Sequence, residues 1–101
     1  MTDTIIHELD DLWRVLIPED LRNKAELKLG DRLTPLVFHT SKTIMLIKHS
    51  AGEFRIDSLG RIKLDKEHVE PLCWGQRDKL ALTLDKKRGC VVLSMHKKAP
   101  A

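Results

Sequence analysis

Two Asp–Arg pairs at one spacing carry the chemistry on offer in this sequence. In ELDDLWRVLI, Asp10 precedes Arg14 by four residues; in RIDSLGRIKL, Asp57 precedes Arg61 by four, and each arginine opens a short apolar run. An aspartate at a turn accepts backbone N–H groups and can also hold a nearby guanidinium in one rotamer. A guanidinium so held presents its remaining planar donors to a phosphate or to the edge of a guanine. The plainer use of the same pair is to brace a turn, where an exposed ion pair contributes about 0–1 kcal/mol. Other chemistry finds little support. The histidines His7, His39, His49, His68 and His96 and the cysteines Cys73 and Cys90 show no metal-ligand spacing. No Ser-His-Asp set, paired carboxylates or Gly-rich phosphate loop stands out. The expectation is therefore a protein that is not an enzyme, with no catalytic residue, metal, cofactor or small-molecule substrate. Trp13 and Trp74 read as packing residues rather than stacking platforms.

The elements that must position these pairs repeat. Sliding the sequence by 47 positions aligns Asp10 with Asp57, Leu12 with Leu59, Arg14 with Arg61, Asp31 with Asp78, Leu46 with Leu93 and His49 with His96, without a gap. A register held over this length, with turns and apolar runs in phase, is the mark of an internal duplication. The repeats cover about 5–49 and 52–96 of a single domain, 1–101. The first reads as a strand over 5–9, a turn, a strand over 14–17, a helix over 18–25 with Pro18 at its first position, and two strands over 32–39 and 43–49. The second reads as strands over 53–56 and 61–64, a short helix capped by Asp65 and ended by Pro71, and strands over 78–84 and 90–96. The tail HKKAPA is expected to be loose. Four strands and one short helix cannot enclose a core, whereas two such units can, so the fold class is mainly β with short helices, closed as one barrel by two halves. In TIMLIKH both faces of the strand are apolar, which calls for cover on the second face and favours a homo-oligomer.

Composition sets outer bounds. The 101 residues are 42% apolar and 33% charged, with a net charge of +3. Residues 1–50 hold 7 basic and 8 acidic side chains, and residues 51–101 hold 11 and 7, so the basic excess lies in the second half and suits an acidic partner such as nucleic acid. The N-terminal MTDTIIHELDD is too acidic for a signal peptide, and no apolar stretch has the length of a membrane span. With two cysteines read as free thiols, these features point to a cytoplasmic protein.

The segment IDSLGRIKLDKEHVEPL resembles the swapped-hairpin DNA-binding domain of the AbrB/SpoVT/MazE family, and LDDLWRVLIPEDLRNKAELKLGDRL fits the same order of turn, arginine, apolar run, short helix, Gly-Asp and strands. Two halves in one chain look most like a short MraZ-type member. The resemblance implies a pseudo-dimeric swapped-hairpin β-barrel, double-psi-like in its closure. It also implies a sequence-specific transcriptional regulator that binds double-stranded DNA and is nucleoid-associated. It carries the DNA-contacting role to Arg14 and Arg61, oriented by Asp10 and Asp57, and to the helix arginine Arg22, whose equivalent in the second half is Val69. Arg55, Lys63 and Lys66 cluster in sequence around the second motif and are expected to supply further DNA contacts. Trp13 stands where the second half has Gly60, so the first turn is expected to differ in shape, because glycine reaches positive φ cheaply and tryptophan does not. The same family offers another use, an antitoxin-like protein-interaction module of the MazE kind, though few residues follow Met95 to act as a clamping tail. A barrel scaffold without DNA binding is the remaining alternative.

Overall fold

Alternating leucines in KLALTLD and TIMLIK commit both segments to strands, and the turn residues between apolar runs decide where the chain reverses. A computed structural model of the protein describes residues 4–100, so residues 1–3 of the acidic N-terminus and the last residue of the tail lie outside it. The chain order is β1 (Thr4–Glu8), β2 (Arg14–Leu16), α1 (Glu19–Lys24), β3 (Arg32–Phe38), β4 (Thr43–Lys48), β5 (Phe54–Arg55), β6 (Arg61–Lys63), α2 (Lys66–Val69) with a single 3-10 turn at Glu70–Leu72, β7 (Lys79–Asp85) and β8 (Cys90–Lys97). The protein is mainly β. Six strands form one curled antiparallel sheet, a half-barrel, in the order β1-β7-β8-β4-β3-β5, and β2 pairs with β6 in a separate two-stranded ribbon. No helix among the described residues is long and apolar enough to cross a membrane.

Strand pairing crosses between the two sequence repeats. β1 pairs with β7 and β5 with β3, so the first strand of each repeat lies beside a hairpin of the other. β4 and β8 join the two hairpins, Ile44 facing Leu93. Exchanging each element for its counterpart, β1 for β5, β3 for β7 and β4 for β8, leaves the sheet order unchanged when read from the other edge. Backbone conformation follows the same offset. Among the described residues, positive φ occurs at Trp13 and Gly60, Glu26 and Cys73, Gly30 and Arg77, and Lys42 and Gly89, each pair 47 residues apart.

The core lies between the sheet and the ribbon. Leu33, Ile44, Leu46, Leu80, Leu82, Val91 and Leu93 point into it from the sheet, Val15 and Ile62 from the ribbon, and Leu21 and Val69 from the helices. Each buried aliphatic side chain contributes roughly 1.5–3 kcal/mol relative to an exposed one, which is why three-residue strands and a four-residue helix persist. Pro35 sits in β3 beyond the point where β5 stops pairing at Leu33, a free edge that tolerates a proline.

Several sequence expectations are corrected. Pro18 is the residue before α1 rather than its first helical one, and α1 is shorter than expected. Asp65 does precede α2, but its side chain makes no capping bond. The strand expected over 53–56 reduces to Phe54–Arg55. The described part of the tail is not loose: Asp78, only 2% exposed, accepts the backbone N–H of Ala99 at 2.6 Å and the Lys98 ammonium at 2.8 Å, which docks the residues just after β8. The turn at Trp13 also departs from expectation, as its hydrogen bonds make clear.

Candidate nucleic-acid interface

Each Asp–Arg pair closes one five-residue turn with the same bonds. Asp10 Oδ1 accepts the backbone N–H groups of Leu12 at 2.9 Å and Arg14 at 2.8 Å, and Oδ2 accepts Arg14 Nε at 2.8 Å. Asp57 Oδ1 accepts those of Leu59 and Arg61, both at 2.9 Å, and Oδ2 accepts Arg61 Nε at 3.0 Å. The backbones repeat as well: Asp10 N donates to Arg14 O at 2.9 Å, as Asp57 N does to Arg61 O. Trp13 takes φ of 63° where Gly60 takes 84°. The first turn therefore has the shape of the second, and the bulky residue is held in the left-handed region by its neighbours. Trp13 O accepts the Leu64 N–H at 2.7 Å, and Gly60 O accepts the Ile17 N–H at 2.9 Å, so each turn closes the far end of the other half's ribbon strand. For both aspartates partial burial pushes the carboxyl pKa up. The turn N–H donors and the arginine guanidinium outweigh it and hold both below the usual carboxylate range.

The ribbon sets where the arginines point. Its register places Arg14 opposite Lys63, Val15 opposite Ile62 and Leu16 opposite Arg61. Val15 and Ile62 are buried, so alternation turns Arg14, Arg61 and Lys63 onto the outer face together. Arg14 and Arg61 are diagonal neighbours across the strands, roughly 7–8 Å apart by strand geometry. Their Nε atoms are taken by the aspartates, while each guanidinium edge stays partly exposed.

The other candidates are dispersed. Arg22 Nη1 donates to Ile17 O at 2.6 Å, and its guanidinium occupies the space that a Cβ on Gly60 would fill, 1.9 Å from Nη1. Val69, its counterpart, is buried. Lys66 lies over the Trp13 ring at 5.8 Å from the centroid, on the first turn rather than the second. Arg55 is at the sheet edge on β5, turned toward Gly30. Arg14, Arg61 and Lys63 thus share one face. Arg22 and Lys66 pack over the two turns of that ribbon, and Arg55 stands apart at the sheet edge.

Two features escape a reading of the sequence. Leu12 and Leu59 project from the tips of the two turns, 57% and 64% exposed, beside the arginines. Their recurrence at Asp-x-Leu is the signal that marks them as more than stray surface leucines. The structure also gathers the carboxylates of Glu53, Asp65 and Glu67 around His68, with potential ligand atoms within 4.8 Å of one another. His68 Nδ1 is buried without a hydrogen-bond partner among the described residues. Glu53 comes from the opposite side of the ribbon strand in sequence, so no short motif announces this group.

The fold and the site together define a mainly β protein with a half-barrel sheet and an outward-facing basic ribbon whose two arginines are each braced by a carboxylate. Compared with models of protein families, with curated proteins and with solved structures, the chain matches none.

Proposed function

We propose that this protein is a sequence-specific double-stranded-DNA-binding transcriptional regulator built as a pseudo-dimeric swapped-hairpin barrel of the AbrB kind. The observation that carries the reading is the pair of Asp–Arg turns with matching hydrogen bonds, which aim two guanidiniums outward from one face of one ribbon. A two-stranded ribbon fits the major groove of B-DNA, where an arginine meets guanine through two parallel hydrogen bonds and apolar groups meet the thymine methyl. Arg14 and Arg61 are the base readers, Lys63 a phosphate contact, and Leu12 and Leu59 the apolar contacts. Exchange of β1 and β5 between hairpins supports the swapped-hairpin description. Copies of the protein associate through the outer face of the sheet, where Leu36 and Phe38 are 46% and 44% exposed.

Selection from a random pool of duplex DNA at physiological salt tests the function. The expected outcome is enrichment of a defined site with spaced repeats. Arg61→Ala then weakens binding to that site by about 1–3 kcal/mol. Arg14→Ala combined with Arg61→Ala abolishes sequence preference while circular dichroism shows an intact fold. A pool with no enrichment, or a double variant that retains its preference, defeats the proposal and favours a scaffold or a protein-binding module.

A further inference from the structure

Two pairs of like-charged side chains face each other across strands at opposite corners of the sheet. At one corner Lys79 of β7 is the cross-strand partner of Lys97 of β8. At the other Arg32 of β3 is the cross-strand partner of Arg55 of β5. All four are exposed. Like charges placed directly opposite destabilise a sheet, by a few tenths of a kcal/mol up to about 1 kcal/mol. The two pairs are not copies of each other, because the counterpart of Arg55 is Glu8, which faces Lys79 across β1 and β7.

The corners correspond through the offset of 47 residues, yet they are furnished differently. Arg32 and Lys79 are counterparts, but the second cation comes from β5 in one corner and from β8 in the other. Gly30 and Arg77 are counterparts too, both at positive φ. Where the second half supplies the Arg77 side chain, the first half has no side chain and Arg55 lies against Gly30, 3.9 Å from the position of a Cβ. Different residues thus bring positive charge to the same place at both corners.

Each corner is a cleft. One, about 430 Å³, is lined by Glu8, Arg77, Lys79, Lys97, Lys98 and Ala99 among others. The other, about 370 Å³, includes Gly30, Asp31, Arg32 and Lys48, and Arg55 lines a separate groove that meets it at Gly30. The carboxylates within reach are largely engaged. Asp78 holds Lys98, Asp31 holds Lys48 at 3.2 Å, and Arg77 is paired with Asp11 through two 3.0 Å bonds. Glu8 opposes Lys79 across β1 and β7 as the one acid beside that pair. Among the described residues Lys79 and Lys97 form no ion pair, and Arg32 Nη1 reaches only the Gly52 carbonyl at 3.2 Å.

Both clefts adjoin the ribbon turns. Arg77 and Gln76 bond to Asp11, the residue after Asp10. Arg55 lines a groove with Asp57 and Ser58. The 47-residue offset that maps β2 onto β6 also maps Lys79 onto Arg32 and Arg77 onto Gly30, so the two clefts are counterparts.

We infer that these two clefts are polyanion sites that hold the sugar–phosphate backbone of duplex DNA beside the ribbon, an inference that rests on the DNA-binding reading above. A phosphate between two opposed cations removes their repulsion and takes charge-assisted hydrogen bonds from both.

The test is the salt dependence of affinity for a duplex recovered from the random-pool selection, between about 50 and 200 mM salt, where each phosphate contact contributes a slope of about 0.9. Lys79→Gln with Lys97→Gln lowers the slope by about 1, and Arg32→Gln with Arg55→Gln lowers it by about 1 again, with the preferred sequence unchanged. Lys87→Gln, in the loop at the far end of the β7–β8 hairpin, leaves the slope as it was and serves as the control. If the parent protein binds and both double variants keep its slope, the clefts are not DNA contacts, while the ribbon reading stands if Arg14→Ala with Arg61→Ala still abolishes preference. A parent that binds no duplex even at the lowest salt overturns both. Melting curves without DNA show whether the variants fold; relief of the opposed charges should leave their melting temperatures at or above that of the parent.

Discussion

Asp10 and Asp57 each accept three hydrogen bonds within their own turn, and this decides how the arginines behave. A side chain tied at Nε has lost most of its rotamer freedom before any ligand arrives, so binding through its remaining edge costs less entropy. The same turns show when local propensity yields. Trp13 adopts a conformation that bulky residues avoid because the Asp10 carboxylate and the Leu64 N–H are satisfied only in that geometry. The sequence displays the Asp–Arg spacing plainly, but nothing local to Trp13 reveals a bond from a residue some fifty positions away. Gly60 has a further role that its counterpart cannot share, since its missing side chain leaves room for the Arg22 guanidinium. Gly60→Ala is therefore expected to be worse than Gly89→Ala. Both carry the left-handed cost of about 1–2 kcal/mol. A Cβ at Gly89 meets nothing within 4 Å, whereas one at Gly60 displaces Arg22 and breaks its bond to Ile17 O. Urea denaturation of the two variants measures the difference, and equal losses would mean that Arg22 moves aside without cost.

The ribbon is the element that turns two local motifs into one surface. Three-residue strands do not hold together alone in water. Here the central pair, Val15 and Ile62, is buried in the common core, and the turn carbonyls of Trp13 and Gly60 close both ends. On the DNA-binding reading proposed above, stability and binding therefore separate by face. Ile62→Ala is expected to cost about 2–5 kcal/mol and to loosen the whole ribbon. Lys63→Ala, one residue on but pointing outward, should change stability by no more than about 0.5 kcal/mol while lowering the salt slope of DNA binding by about one unit. Thermal melts and titrations on the two variants check both halves of this contrast. Alternation made β4 and β7 legible from sequence, because Ile44, Leu46, Leu80 and Leu82 mark one buried face. The brevity of β5 was not legible, nor was the docking of the tail. The first depends on how far β3 runs before Pro35, and the second on Asp78, whose partners at Lys98 and Ala99 lie twenty residues away.

At the scale of the whole molecule, charge and apolar surface are segregated, and each makes a prediction. Asp10, Asp57 and Asp78 all titrate below the usual carboxylate range. For Asp78 burial pushes the pKa up, but the Ala99 N–H, the Lys98 ammonium and the Gly75 N–H outweigh it. A carboxyl whose folded pKa is depressed contributes stability that is complete above its unfolded value, about 3.9, and is lost as pH falls through the lower folded value. The melting temperature should thus hold from neutral pH to about 5 and drop steeply below about 4. Asp78→Asn should lower the neutral plateau and flatten that drop, and a parallel curve for the variant would remove Asp78 from the account. The apolar side concerns the convex face of the sheet. Rows of outward residues run across it in register, Leu36 beside Met45 and Val92 beside Thr83, and Phe38 beside Thr43 and Ala81 beside Ile6, with no charge among them. Met45 and Ile47 are half-buried by their neighbours. A second copy brings the same uncharged surface, so neither partner must strip water from an ion to form the contact. A stable contact of this kind buries about 800 Å² on each partner, and Leu36→Lys places a charge in its middle. Light scattering at micromolar concentration should find the parent associated and Leu36→Lys dissociated with its fold intact. A monomeric parent would show instead that this face stays in water.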